Sequence, residues 1–169
     1  MPVEPDQFRR IFGALSSSVA VITAAAADGP KGFTCTAVTA VSKTPPLLLV
    51  CADGGSHTLP AILDSKGFAV NFLAAGRGAL ADRFASSDAL KFAGTAWTPS
   101  AHAFGAPVLG PEDTVAVAEC RLRSADRVGD HWILVGSIEH GGDVPDSAPL
   151  TYYRRTYDSP SAHRLVTTP

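Results

Sequence analysis

The chain has 169 residues, which suits one domain, and its 46% hydrophobic and 18% charged residues can fill a core and do not describe a disordered chain. Fourteen Lys and Arg against sixteen Asp and Glu leave a formal charge of −2 with no basic run, which argues against a nucleic-acid binder. The longest apolar runs, such as Leu47–Ala52, are far too short to span a bilayer, so no membrane role is expected.

In chain order, the opening MPVEPDQFRRIFG lacks the apolar stretch of a signal peptide. Phe8, Ile11, Phe12 and Leu15 recur at helical spacing and predict a short amphipathic helix over Asp6–Leu15. The β-branched run Val19–Ala25 predicts a strand, and Asp28-Gly29-Pro30 a turn. A second strand, Phe33–Ser42, is expected to pair with the first. Pro45-Pro46 ends that hairpin, and Leu47–Cys51 reads as a strand buried on both faces. The loop ADGGSHT then leads into a helix over Leu59–Leu63, with Thr58 as its N-cap.

Phe68–Leu73 predicts a further strand, Gly78–Phe84 a helix, and ASSDALKF a polar turn. The Gly- and Pro-rich stretch Ala93–Pro111 reads as an irregular, flexible surface excursion. Thr114–Ser124 and His131–His140 form the next expected hairpin, around a turn at ADRVGD. Leu150–Arg155 is a short last strand, and residues 159–169 are expected to be a flexible tail to a single domain over 1–158. Six or seven mostly antiparallel strands with two or three short helices, without strand–helix alternation, predict a mainly β fold: a closed or split barrel with helices over its ends.

Several chemistries are excluded by what the chain lacks: there is no GxGxxG after the first strand, no GxxxxGK[ST], no GxSxG and no HExxH. Cys35, Cys51 and Cys120 are odd in number and widely spaced, so neither a disulfide framework nor a metal site is expected, and the cell compartment is read as reduced and cytoplasmic. Three segments remain that could hold an anionic or heterocyclic ligand. Gly32–Ser42 carries Thr34, Thr36 and Thr39 beside the small Ala37 and Ala40, although threonines favour strands in any case. Ala52–Thr58 offers glycine backbone and the hydroxyls of Ser56 and Thr58 at a helix start; it is either a phosphate cradle or an ordinary capped turn. Gly129-Asp130-His131 puts a histidine after a tight turn, a position that is more often structural, and Arg83 lies on a short helix where most arginines face solvent.

Taken in order, these segments resemble the short-chain flavin reductase family, the flavin reductase-like domain with an FMN-binding split barrel. The resemblance rests on FRRIFGALSSSVAVIT, on Gly32–Ser42, on Pro45–Cys51 and on Ser56-His57-Thr58. It continues through Phe68–Asn71, Leu80–Ala85 and Gly129–Ile138, and so spans about Phe8 to Tyr157. It implies an NAD(P)H:flavin oxidoreductase that reduces FMN or FAD with NADH or NADPH and supplies a partner monooxygenase. The alternative it leaves open is a flavoprotein of the same fold that carries electrons or performs a biosynthetic redox step itself. It further implies a homodimer with flavin near the interface.

Carried over by position, the resemblance implies that Thr34, Cys35, Thr36 and Ala37 run along the flavin ring and ribityl chain. Cys51, Ala52 and Asp53 would line the same ring, while Ser56, Thr58, Arg83 and Phe84 would take the phosphate end. His131 would face the nicotinamide and serve as the catalytic position. Thr36-Ala37 stands where the family usually has an Asn/Ser-Ser pair, and Val38 where it has an aromatic, which removes a hydroxyl beside the flavin and points to loose flavin binding or a preference for one flavin.

Overall fold

A computed structural model describes residues 1–160; the remainder of the expected tail, 161–169 with His163, lies outside the described residues. The chain begins with helix α1 (Pro5–Gly13), which starts at a proline with Asp6 in its first turn and Arg10 in its last, as the helix dipole favours. Strands β1 (Ser17–Ser18), β2 (Ala20–Ala26), β3 (Gly29–Cys35), β4 (Val38–Lys43) and β5 (Pro46–Asp53) follow. Helix α2 (Thr58–Ser65), strand β6 (Gly67–Leu73) and helix α3 (Gly78–Ala85) come next. The rest is strand: β7 (Trp97–Pro99), β8 (Pro107–Leu109), the long pair β9 (Thr114–Val128) and β10 (His131–Asp143), then β11 (Thr151–Tyr153) and β12 (Thr156–Asp158). No helix among the described residues is long and apolar enough to cross a membrane.

Seven of these strands form one antiparallel sheet in the order β3-β2-β6-β9-β10-β5-β4. Its two edges, β3 and β4, are consecutive in the chain, so the sheet has to curl until its edges approach. The segment expected as one strand, Phe33–Ser42, is therefore two: Gly29–Cys35 pairs with β2 and Val38–Lys43 pairs with β5. Thr36 and Ala37 form the crossing between edges, and both are exposed. At the crossing the Ala37 carbonyl accepts from the Cys51 amide at 3.0 Å, and the Cys35 thiol donates to the Cys51 carbonyl at 3.4 Å.

Inside the curl lies a core that includes Ile22, Val50, Phe68, Val70 and Leu134, all fully buried, with Leu59 and Ile62 of α2 closing one side. A second cluster, with Val19, Leu73, Leu80 and Phe84, packs α3 onto the outer side of the sheet. Strand β5 is not buried on both faces as its composition suggests. Leu48, Val50 and Ala52 point into the core, whereas Leu47, Leu49 and Cys51 are half-buried on the other face.

The stretch Ala93–Pro111 also departs from expectation. It carries the two-stranded ribbon β7–β8, with Ser100, Ala103 and Ala106 buried. Asn71 on β6 explains the anchoring: its amide donates to the Val21 carbonyl at 3.1 Å and to the Thr23 hydroxyl at 3.2 Å, and its carbonyl accepts from the Leu109 amide at 2.9 Å. The Thr23 hydroxyl in turn donates to the Pro107 carbonyl. A fully buried side-chain amide needs such partners, and β8 supplies them. The β9–β10 turn is tighter than ADRVGD suggests, because Val128 pairs with His131 and only Gly129 and Asp130 turn, with Gly129 at φ +65°.

Candidate functional site

A cavity of about 430 Å³ opens where β3, the end of β5 and the end of α3 meet. Thr34 comes from β3, Asp53 from the end of β5, Ser56 from the loop and Thr58 from the start of α2, and Phe84 and Ser86 from the end of α3. Lys91 and Phe92 close it from the following turn.

Local packing shapes these walls. Gly32 lies against the Phe84 ring so closely that a Cβ there would fall 2.8 Å from a ring carbon. The Thr34 hydroxyl donates to the Ala81 carbonyl at 2.5 Å and ties β3 to α3. Phe84 meets Phe92 edge to face at 4.9 Å, which gives the cavity an aromatic side. On the opposite side the Asp53 carboxylate accepts the Gly55 amide at 2.7 Å, and the Asp53 carbonyl accepts the Ser56 amide at 3.0 Å. Thr58 is not the N-cap that the sequence suggests. His57 holds the cap position without a capping side-chain bond, Thr58 is buried in the first turn, and the Ser56 hydroxyl accepts the Thr58 amide at 3.3 Å.

Lys91 supplies the cation. Its ammonium donates to the Phe84 carbonyl at 2.9 Å and the Gly32 carbonyl at 3.3 Å, so it bridges α3 and β3 at the cavity wall. Burial lowers its pKa, opposed by the charge of Asp88. Among the described residues it forms no salt bridge, so its charge stands on a wall of the cavity that Ser56 and Thr58 also line. Lys31, also on the wall, is paired with Asp28 at 2.8 Å.

Of the residues selected from sequence, Thr34, Asp53, Ser56, Thr58 and Phe84 come together around the cavity. Arg83 does not line it: its guanidinium donates to the Ala93 carbonyl at 2.8 Å and the Thr95 hydroxyl at 3.2 Å, fastening the chain after α3. Cys35 and Ala52 point into the core, and burial pushes the Cys35 thiol up to about 11. Cys51 is half-buried on the adjoining strand, and Thr36 and Ala37 lie exposed at the crossing. His131 stands directly across from Asp53 in the β10–β5 ladder, half-exposed, with Nδ1 2.8 Å from the Asp130 carboxylate. The Gly54 amide donates to the Asp130 carbonyl at 2.9 Å, so the histidine's turn is fastened to the cavity's loop. Sequence reasoning missed Lys91, Ser86 and Phe92, which lie in or beside the segment read as a polar turn.

The cavity thus sets an aromatic wall and the start of α2 against the Lys91 ammonium beyond the end of α3, a lining suited to a phosphorylated ring compound. Comparison with known proteins sharpens that class. The flavin reductase like domain matches residues 12–161, and the chain belongs to that family. It is 44% identical over 157 residues to a flavin reductase (NADH) of Kitasatospora aureofaciens, covering 92% of this chain and 81% of that protein. It is 34% identical over 167 residues to HsaB, the reductase subunit of a flavin-dependent monooxygenase of Rhodococcus jostii, covering 99% and 84%. Among solved structures, the NADH:FAD oxidoreductase SgcE6 of Streptomyces globisporus, in complex with NAD and FAD fragments, superimposes with a TM-score of 0.87 at 27% identity over 96% of this chain and 98% of that one.

Proposed function

We propose that this chain is a flavin reductase that oxidises NADH, reduces FMN or FAD, and hands the reduced flavin to a monooxygenase. The observation that carries the reading is the cavity that sets Ser56, Thr58 and Lys91 against the Phe84–Phe92 wall, in a chain of the flavin reductase family. The names of its relatives support NADH over NADPH as donor, and the reductase subunit among them supports the hand-over to an oxygenase. The three free cysteines suit a reducing, cytoplasmic setting, and the family match supports one domain over 1–158.

Bound flavin supplies the hydride acceptor for nicotinamide, and the protein's task is binding and orientation. The Lys91 ammonium and the hydroxyls of Ser56 and Thr58 hold the phosphate end; a charge-assisted contact of this kind contributes about 1.5–3 kcal/mol. At the crossing, the backbone of Thr36 is part of neither ladder and, with the exposed Ala37, would border the flavin ring. Cys51 to Asp53 border the same ring from β5, and Cys35 and Ala52 support it from the core. His131, fixed by Asp130 and by the Asp130–Gly54 bond, packs on the nicotinamide and orients it towards the flavin.

A homodimer completes this reading. Phe8, Ile11, Phe12 and Leu15 form an exposed apolar stripe, and no residue of α1 is buried. The test of function is anaerobic mixing of protein, NADH and flavin with FMN, FAD and riboflavin in parallel. The expected outcome is rapid bleaching of all three flavins, with riboflavin showing the highest KM. No NADH-dependent bleaching beyond the protein-free rate would remove the assignment.

A further inference from the structure

Helix α1 buries neither of its sides on its own chain. At about 100° per residue, Phe8, Ile11 and Phe12 share one side of the helix, with Leu15 just beyond its end, and Asp6, Arg9, Arg10 and Gly13 share the other. Both sides are exposed, the four apolar residues at 53, 50, 55 and 57% and the Asp6 and Arg9 side chains at 79 and 68%, and the charged side borders the β11–β12 hairpin. Between helix and hairpin lies a hollow of about 550 Å³, lined by Arg9, Arg10, Arg154 and Arg155 with Asp6 as its one acid.

The charges do not balance. Asp6 is taken by Arg9 at 2.7 Å, and among the described residues Arg10, Arg154 and Arg155 have no carboxylate partner. The C-terminal dipole of α1 offers only about half a negative charge against the three that remain. The hairpin turn holds its arginines there at a cost. Tyr153 pairs with Thr156, so Arg154 and Arg155 alone make the turn, at φ 46° and 66°. That left-handed pair is the conformation Asn-Gly adopts readily and arginine does not. The Arg154 amide donates to the Gly13 carbonyl at 3.0 Å and locks the turn to the end of α1.

We propose that this hollow is a second, anion-binding site that takes a compact diphosphate: free pyrophosphate, a nucleoside diphosphate, or the pyrophosphate link of a dinucleotide. Four arginines bordering one concave volume offer forks that match the oxygens of adjoining phosphates, with the Arg154 guanidinium lying over the Tyr153 ring at 5.5 Å, whereas an acidic protein surface needs a broad, flat patch. None of its lining residues lines the flavin cavity, so the site stands whether or not the flavin reductase reading does. It borders the charged side of α1, opposite the apolar stripe.

The test is calorimetric titration of the intact protein with inorganic pyrophosphate at moderate salt, beside the double variant Arg154→Asn, Arg155→Gly. That variant installs the preferred turn residues, so its melting temperature is expected to hold or rise while pyrophosphate affinity falls at least tenfold. Lys91→Ala, in the flavin cavity, should leave pyrophosphate binding unchanged. ADP should displace pyrophosphate and FMN should not. If the double variant also raises the KM for NADH, the diphosphate is that of the nicotinamide dinucleotide; if only pyrophosphate and ADP weaken, the site serves a separate ligand. Absence of saturable pyrophosphate binding, equal binding by the double variant, or loss of binding in Lys91→Ala would each overturn the proposal.

Discussion

In the proposed site Lys91 takes the place at the phosphate end that position in the sequence suggests for Arg83. Arg83 is spent on the Ala93 carbonyl and the Thr95 hydroxyl, while Lys91 stands at the cavity wall. Lys91→Ala is therefore expected to raise the KM for FMN about tenfold, equivalent to ~1.4 kcal/mol, and to leave riboflavin, which has no phosphate, nearly unchanged. Arg83→Ala should instead lower the melting temperature and affect both flavins alike. A steady-state comparison of the two flavins across the two variants checks this. His131→Ala should raise the KM for NADH and slow hydride transfer with flavin affinity within about threefold, under ~0.7 kcal/mol; joint loss of stability and flavin affinity at an unchanged NADH KM would reduce the ring to a fastener of its turn.

Glu119 is the residue through which acid should act. Burial alone would raise its pKa, but the Ser100 hydroxyl and His140, whose Nδ1 is 2.9 Å away, together with the nearby His102, outweigh burial and hold it below the ordinary value of 4.5. A carboxylate depressed in the folded state stabilises fully above its unfolded pKa, and that contribution is lost as pH falls through the folded value. Melting curves from neutral pH down to below 4.5 should show an acid limb that Glu119→Gln flattens; parallel limbs in the two proteins would contradict it.

At the scale of elements, Asn71 carries a prediction of its own. Asn71→Ala leaves the Leu109 amide and the Thr23 hydroxyl short of a buried partner, and should cost about 1–3 kcal/mol, measured by urea unfolding, with β7–β8 loosened from β6. This anchoring explains why Ala93–Pro111 carries an ordered ribbon where its composition predicts a loop. Its Gly and Pro content is that of a loop, and the partners that order it are Thr23 and Asn71, far away in the chain. The strand break was illegible for a related reason. Residues alternate in the same way on both sides of Thr36-Ala37, and the switch between sheet edges is a property of topology that periodicity does not register. By contrast, β2, β6, α3 and the β9–β10 hairpin were legible within a few residues, because each is a local pattern of apolar spacing bounded by turn residues. In the site, the Ser56–Thr58 loop and Phe84 were legible from order along the chain. Lys91, a single lysine in a turn, had no pattern to mark it. Packing at Gly32 was equally hidden: Gly32→Ala drives a methyl into the Phe84 ring, and should destabilise by about 1–3 kcal/mol while raising the flavin KM.

For the whole molecule, the exposed stripe on α1 and the proposed flavin reductase activity lead to two measurements. Sedimentation at micromolar concentration should give a dimer, and Phe12→Glu, which puts a charge in the stripe, should shift it to monomer with weaker flavin binding. A monodisperse, fully active parent monomer would remove the dimer. The central claim is that flavin is a substrate the protein reduces and releases, and the most direct test is NADH oxidation in air with flavin varied from far below the protein concentration to far above it. The account predicts many turnovers per protein, with a rate that rises with added FMN or FAD and saturates. A single stoichiometric reduction, or a rate indifferent to added flavin, would contradict it.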